Sequence, residues 1–451
     1  MPRQTPITPL DREANFRLDE LFFSTTDRKG VITFGNDVFI RVSGYGPHDL
    51  VGAPHNIIRH RDMPRAAFQL VWEYLLAGHS AAAYVKNMAA TGAYYWVLAL
   101  ITPIRDGFLS IRLKPSGPLF PIVQGVYAQM RDIEAKADAA GQPARDGMAQ
   151  ARAHLTAALA SVGMRDYAEL MDAILLTEVS ARRHHLAARP AQGSALSTQD
   201  SSARHAACAA LAAEVARLFA RLDGLVALEK SLAGEVEFVH RLGRTLRLLS
   251  FNGQVRAAGL RDDGRTLQVI AGQMSSSALA IAGATREVCA AMAAVSAALK
   301  AAAAHIATAD LAVETMGLFL AELAASAADA SADGTGVRHR IAELAEVLEA
   351  KLAAACASAD AAGAKVRQLE QLVDDFVKQI RTLEILHVTG RVEAVRCAEG
   401  AAVSTLFTEV YARTREARAQ LDALADHLAH AHVEPPSPAV VAASLATLRA
   451  A

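Results

Sequence analysis

Apolar residues recur at alternating steps of four and three through much of the second half of the chain. Leu211, Val215, Leu218, Leu222 and Leu225 keep that rhythm, and Leu232, Val236, Val239, Leu242, Leu246 and Leu249 continue it with a change of phase. A second stripe, Val366, Leu369, Val373, Phe376, Ile380 and Leu383, repeats it. This spacing lays an apolar seam along a long helix, and the seam must be buried against other helices, so it dictates a bundle or coiled coil. The stripes also resemble one another. "RTLRLLSFNGQVRAA" from Arg244 and "RTLEILHVTGRVEAV" from Arg381 align at a shift of 137 residues, with apolar register and glycine in step. We read an internal duplication. Matched positions carry opposite charges, Arg247 against Glu384 and Arg256 against Glu393. Unlike copies are therefore expected to prefer one another, although exposed pairs contribute under about 1 kcal/mol each. Two tandem hairpins would then build a monomeric, one-chain bundle, with a homodimer as the alternative.

Aromatic residues, glycine and proline are concentrated before about residue 127, and alanine, leucine, glutamate and arginine dominate after it. That shift marks a domain boundary in a chain of 451 residues, a length that allows about two to four domains. With 46 basic and 47 acidic side chains there is no overall field to favour nucleic acid or an anionic membrane surface. Cys208, Cys289, Cys356 and Cys397 lie far apart without a CxxC pair, as free thiols of a reducing compartment do. The first residues, "MPRQTPITPLDRE", lack the apolar core of a secretory signal, and "CAAMAAVSAALKAAAAHIA" is alanine-rich and broken by Lys300. A cytoplasmic protein with no membrane span is expected.

In the first half, "LFFSTTD", "GVITFGN", "SAAAYVKNMA", "AYYWVLALITPI" and "FLSIRLK" read as strands, with "DRKG", "ATG" and "RDG" as turns. Between the second and third runs the residues are helical in character, and Phe68, Val71, Trp72 and Leu75 share one helix face. The expected fold is α+β: a five-stranded antiparallel sheet with short helices on one face, followed by a long all-α antiparallel bundle. The expected divisions are an N-terminal arm (1–18), a sensor domain (19–117), a helical connector (118–188), a linker (189–203), a first hairpin (204–332), a second hairpin (333–432) and a tail (433–451). Ser201 or Ser202 would cap the first long helix.

The words "STTD", "ND.F..VSGY", "L.G.PHN..RH.DMP.AAF", "VKN" and "YYWV", in that order, resemble the PAS domain of the bacterial aerotaxis receptor family, which carries FAD. The resemblance covers about the first quarter of the chain. It implies that Arg59, His60, Asp62 and Asn87 contribute to flavin binding, with Asn87 on a strand facing the pocket. Asn36 and Phe68 lie in the same matched words and complete the candidate set. A flavin dinucleotide needs an apolar slot for its ring, partners for the ring's polar edge and cationic donors for its pyrophosphate. Arg59 and His60 can supply donors, and Asp62 can orient one of them. Two positions depart from the family: Ala81 stands where a tryptophan is usual, and Arg61 replaces a proline. Haem is the rival cofactor. It would need an axial histidine within the pocket, whereas His48, His55, His60 and His79 fall on loops or element ends.

After residue 118 there is no phosphate loop, nucleophile elbow or metal-ligand cluster, so neither catalytic nor metal-binding residues are expected. The turns "GLRDDGRT" and "RCAEGAA" resemble the hairpin tip of chemoreceptor signalling domains, which contacts a coupling protein and a histidine kinase. The second copy keeps Glu393, Arg396 and Glu399 in the family spacing, which implies a partner-binding role for them. The first copy has Arg256 where the family has glutamate. The sequence thus points to a PAS-based redox or oxygen sensor that binds FAD and relays its state through helices to chemotaxis-type partners. The alternative is a non-enzymatic PAS signalling or scaffold protein with an empty or haem-filled pocket, acting on another partner.

Overall fold

The structure, a computed structural model, describes residues 7–187, 203–259, 264–326, 335–397, 401–429 and 437–449. Over residues 221–237, 239, 323–326, 335, 402 and 427–429 it describes the backbone alone. The linker expected over 189–203, with Ser201 and Ser202, lies outside the described residues apart from Ala203.

Five strands, β1 (Leu21–Asp27), β2 (Ile32–Gly35), β3 (Ala81–Met88), β4 (Tyr94–Ile104) and β5 (Gly107–Leu113), form one antiparallel sheet in the order β2-β1-β5-β4-β3. Short helices α1 (Asp37–Ser43), α2 (Pro47–Leu50) and α3 (Arg65–Leu76), with a 3-10 turn at His55–Ile58, fill the chain between β2 and β3. The "DRKG" turn closes because Asp27 Oδ1 accepts from the N–H groups of Lys29 and Val31, at 2.8 and 2.9 Å. Where β5 starts against β1, a Cβ at Gly107 would meet the Thr26 carbonyl oxygen at 1.9 Å, so the position takes only glycine. Alternation along the strands gives the sheet two faces. The inner face carries Phe22, Tyr95, Val97 and Ala99, which pack with Phe39, Leu50 and Ile58 of the helical layer.

The outer face is also apolar: Leu21, Phe23, Leu98, Leu109, Ile111 and Leu113 are all buried. Its cover comes from downstream helices. The described chain contains α4 (Leu119–Ala139), α5 (Ala144–Ser161), α6 (Tyr167–Ala187), α7 (Ala203–Ala258), α8 (Arg265–Ser326), α9 (Thr335–Arg396), α10 (Ala401–Ala429) and α11 (Pro438–Arg449). It divides into two compact units, of which the first comprises Met1–Phe219, Ala303–Ala355 and Pro436–Ala451. Within it Phe319 of α8 meets Phe23 edge-on, with ring centroids 4.8 Å apart, and Arg340 of α9 donates to Thr25 Oγ1 at 3.1 Å. Glu178 of α6 accepts from the Tyr84 hydroxyl and from the Ser116 N–H, both at 2.7 Å. Glu134 of α4 accepts from the N–H groups of Arg65 and Ala66, at 2.9 and 2.8 Å, and so caps α3 from another element. Both carboxylates are fully buried. Helices α4 and α6 are therefore tied to α3 and to the sheet by charge-assisted hydrogen bonds.

The second unit comprises Ala220–Ala302 and Cys356–Pro435. Its stripe residues Leu242, Leu246, Val366, Leu369, Val373, Phe376, Ile380 and Leu383 are buried, as their spacing requires. Leu222, Leu225, Leu232, Val236 and Val239 fall outside the described side chains. Antiparallel pairing shows in contacts that run in opposite senses: Gly243 faces Thr285, His387 stacks on Tyr411 at 4.6 Å, and Glu384 reaches Arg418 at 3.7 Å. Leu249, Ser250 and Gly253 of α7, Ala271 and Met274 of α8, and Leu406, Phe407 and Val410 of α10 line one crevice, so the two hairpins meet within one chain. The duplication extends to burial: Leu246, Ser250, Gly253 and Ala257 match Leu383, His387, Gly390 and Ala394, and all eight face inward. The expected attraction between matched charges takes another form. Glu384 pairs with Arg418 and Glu393 with Arg396, while Arg247 and Arg256 stay exposed. Local partners at helical spacing or on the adjacent arm reach these carboxylates.

Two outcomes follow from this packing. Phe319→Ala should destabilise the unit that holds Trp72 and Trp96 by about 3 kcal/mol, seen as a lower urea midpoint of tryptophan fluorescence. The matched glycines should respond oppositely to alanine. At Gly390 a Cβ would meet the Phe407 ring at 2.4 Å, whereas at Gly253 it meets nothing within 4 Å. Gly390→Ala should cost roughly 1 to 3 kcal/mol by overpacking, and Gly253→Ala should be neutral or stabilising by up to about 1 kcal/mol, both read from helical melting by circular dichroism.

Candidate functional site

The inner face of the sheet carries a charge. Arg112 lies on β5 in register with Phe22 and Ala99, so its side chain enters the layer between sheet and helices, where the residue is only 4% exposed. It donates to Ser24 Oγ at 3.0 Å and to His55 Nε2 at 2.6 Å, and its guanidinium lies 5.6 Å from the Phe39 ring. Since arginine only donates, His55 accepts through Nε2 and carries its proton on Nδ1. Burial first, and the Arg112 charge second, hold the His55 pKa well below its ordinary value. Burial pushes Arg112 itself down to about 10, which leaves it cationic at neutral pH. Among the described residues no carboxylate pairs with it. Around it, Asn87 Nδ2, Tyr95 Oη and Ser110 Oγ are buried without a hydrogen-bond partner. Each orphaned polar group costs about 1 to 3 kcal/mol, and an unpaired buried cation costs several kcal/mol. A concentration of such costs on one inner surface makes it a candidate surface for a polar, electron-rich ligand, which would relieve them. The edge of a flavin ring, with its carbonyl and N–H groups, fits this donor and acceptor set.

The loop at 54–64 forms the rim. Ile58 and Met63 are buried beneath it, which accounts for the apolar residues in a polar string. The backbone of Arg59 forms an antiparallel bridge to Asn87, and the His60 N–H approaches the Lys86 carbonyl at 3.4 Å, so the rim is tied to β3. The Arg59 side chain donates to the Met63 carbonyl at 3.3 Å and lies 4.4 Å over the Phe68 ring. The His60 ring is buried and its Nδ1 accepts from the Asp62 N–H at 3.2 Å. Burial and then the Lys86 charge lower its pKa against the pull of Asp62. The Asp62 carboxylate itself takes Lys86 at 2.6 Å. Arg59, His60, Asp62, Phe68 and Asn87 thus stand together.

Asn36 is elsewhere in chemistry. Its side chain accepts from the Phe23 and Phe39 N–H groups and donates to the Leu21 carbonyl, at 2.9, 3.2 and 2.9 Å, so its amide is spent on joining β1 to α1. Arg112, Ser110 and Tyr95 were not among the sequence candidates, and His55 was weighed only as a haem ligand. The signal existed in "FLSIRLK", where Ser110 and Arg112 alternate in phase with Phe108 on an otherwise apolar strand.

At the second hairpin, Glu393 and Arg396 pair with each other at 3.0 Å, and Glu399 lies outside the described residues. Beside them Ile385, Val388, Val392 and Val395 are each more than half exposed, at heptad spacing. The first copy shows the same feature at the matched positions Leu248, Phe251 and Val255. No group of three or more potential metal ligands occurs among the described residues. One described helix, over Arg265–Glu322, is long and apolar enough by length and composition to cross a bilayer, and 44% of its most apolar stretch is buried within the protein.

Residues 32–108 match the family described as PAS fold. Over 114 residues the chain is 40% identical to the aerotaxis receptor of Escherichia coli strain K12, a match that covers 24% of this chain and 22% of that protein. Over 110 residues it is 30% identical to the nitrogen fixation regulatory protein of Klebsiella pneumoniae, covering 24% of this chain and 20% of that one. The chain thus spans about a fifth of the length of each of these relatives. Solved structures that it resembles include a LOV domain from a blue-light activated histidine kinase of Erythrobacter litoralis, at 16% identity and a TM-score of 0.19, covering 21% of this chain and 92% of that one. Another is the light-state Aureochrome1 LOV domain, at 18% identity and a TM-score of 0.20, covering 21% and 81%. The N-terminal domain of this chain is a PAS domain, similar in sequence to that of the aerotaxis receptor.

Proposed function

We propose that this protein is a non-enzymatic, cytoplasmic redox sensor whose PAS cleft binds FAD and whose helical bundle reports to chemotaxis-type signalling partners. The observation that carries the reading is the buried Arg112 cation, without a carboxylate, among the unpartnered donors and acceptors of Asn87, Tyr95 and Ser110. Bound FAD would supply reversible electron uptake. Arg112, Asn87 and Tyr95 would hold the polar edge of the ring, the small side chains Ala81, Ala83 and Ala99 would leave room for its body, and Arg59 and His60 would close the rim. A haem reading is weaker: His55, the histidine nearest Arg112, has its Nε2 engaged by that guanidinium.

The chain's own bonds suggest how charge in the cleft is felt outside it. A negative charge in the cleft competes with His55 and Ser24 for the Arg112 guanidinium. Any shift of β5 is passed to Ser116, just beyond the strand, whose N–H is held by Glu178, which also holds Tyr84 of β3. Helix α6 therefore reads two strands at one carboxylate. From there α8 and α9, which contribute to both units, lead to the bundle. Partners would dock at Glu393, Arg396 and the exposed apolar stripe beside them. The relay can act only if its two packing states differ in affinity for the ligand's two redox forms.

The full-length protein purified under gentle conditions should show flavin absorption bands and release FAD on denaturation. A colourless protein that takes up no added flavin would overturn the reading. Arg112→Met should lower the flavin midpoint potential by about 30 mV or more, the equivalent of a tenfold change in relative affinity for the two redox forms. Arg112→Lys should recover part of that loss, and an unchanged potential in both variants would remove Arg112 from the role.

A further inference from the structure

A cationic cavity opens at the rim. It has a volume of about 480 Å³ and is lined by Asn56, Arg59, Arg61, Met63, Arg65, Met88, Arg131 and Asp138. Four of these are arginines, drawn from three places: the rim loop gives Arg59 and Arg61, the start of α3 gives Arg65, and the connector helix α4 gives Arg131. Their neutralisation is uneven. Arg65 is paired with Glu134 at 3.3 Å and with Asp138 at 2.8 Å. The others use uncharged partners: Arg59 donates to the Met63 carbonyl, and Arg131 Nε donates to the Arg61 carbonyl at 3.2 Å. Among the described residues, Arg59, Arg61 and Arg131 have no ion pair with a carboxylate. Burial, together with the Arg65 and Arg131 charges and against the pull of Glu134, holds Arg59 below its ordinary pKa, as expected of crowded cations.

Three guanidinium groups around one cavity, short of counter-charge, form a site for a compact polyanion, since each can give paired N–H donors to phosphate oxygens. The site adjoins the cleft, because Arg59 and Met88 border it while the Arg59 backbone bridges to Asn87 of the inner face.

We propose that this cavity is the diphosphate subsite of the dinucleotide, and that Arg131 makes the connector helix part of the ligand-binding site. The inference rests on the FAD reading above and goes beyond it in two respects. It assigns phosphate recognition to Arg61 and Arg131, of which Arg131 lies outside the PAS-matched residues 32–108. It also gives the ligand a direct hold on α4, independent of the route through β5 and Glu178. A phosphate held jointly by the rim loop and Arg131, in the middle of α4, adds a tie between that helix and the loop, so occupancy alone stiffens the connector.

The test measures binding of FAD, riboflavin and ADP to the flavin-stripped full-length protein by titration calorimetry, with native, Arg131→Gln and Arg61→Gln chains. Arg61 is exposed, so its variant carries little risk to folding, and tryptophan fluorescence checks both. Each substitution should weaken FAD roughly tenfold, the loss of one charge-assisted contact, and leave riboflavin unchanged. ADP should bind the native chain and be weakened in step with FAD. Equal losses for FAD and riboflavin, or no loss for either, would overturn the proposal while leaving the flavin reading intact. If no flavin binds at all, the flavin reading fails and ADP decides: weakening by Arg131→Gln keeps the anion subsite, and indifference removes it.

Discussion

A five-stranded sheet with apolar residues on both faces must be covered twice, and a short PAS segment can cover only one. Its own helices α1 to α3 take the inner face. The outer face, with Leu21, Phe23, Ile111 and Leu113, requires area from elsewhere, at a gain of roughly 25 cal/mol for each Å² removed from water. Here α6, the end of α8 and the start of α9 supply it, so the sheet shares its core with helices far along the chain. Phe23 is the point at which this is most direct. It sits on β1, beside a strand whose alternate residues line the cleft, and its ring packs on Phe319 of α8. A displacement of β1 or β5 by even part of an ångström is then a packing problem for α8, because close-packed interiors do not absorb such shifts locally.

The polar contacts show a complementary logic. Glu134 and Glu178 are fully buried, yet each accepts at least two hydrogen bonds, so the cost of taking a carboxylate out of water is offset by donors fixed in place. Arg112 has no such compensation in charge. The contrast separates the two kinds of buried ion in this domain: the carboxylates join elements, and the guanidinium waits on the side where a ligand would lie. A satisfied network rigidifies, whereas an unsatisfied one is sensitive to what enters it. Placing the second beside the first gives a responsive group a stiff surround.

The fold was legible because its elements announce themselves locally: strands by alternation, turns by "DRKG" and "ATG", and long helices by their heptads. The rim residues Arg59, His60, Asp62 and Asn87 were legible through the order of matched words, and they do come together. What escaped was long-range. The bonds that fix the connector join residues 62 to 94 positions apart, and nothing near Glu178 in sequence distinguishes it from a solvent-facing helix glutamate. Asn36 sits apart for a local reason: an asparagine at a helix start is an N-cap first, and its amide is engaged by the backbone of β1 and α1. Arg112 could have been caught, since an arginine on the inward phase of a buried strand is costly enough to require a purpose.

The duplicated bundle adds a constraint of its own. At three of the matched inward positions the copies keep the same residue, Leu246 with Leu383, Gly253 with Gly390 and Ala257 with Ala394, whereas Ser250 is matched by His387. Gly390 shows the limit of that agreement: its copy at Gly253 has open space, while Phe407 has moved into the room that Gly390 leaves. Outside, the copies have been free to differ in charge, with Arg247 and Arg256 in one and Glu384 and Glu393 in the other, yet both keep an exposed apolar stripe in the same register. Exposed leucine, phenylalanine and valine at heptad spacing carry a solubility cost with no return inside the fold.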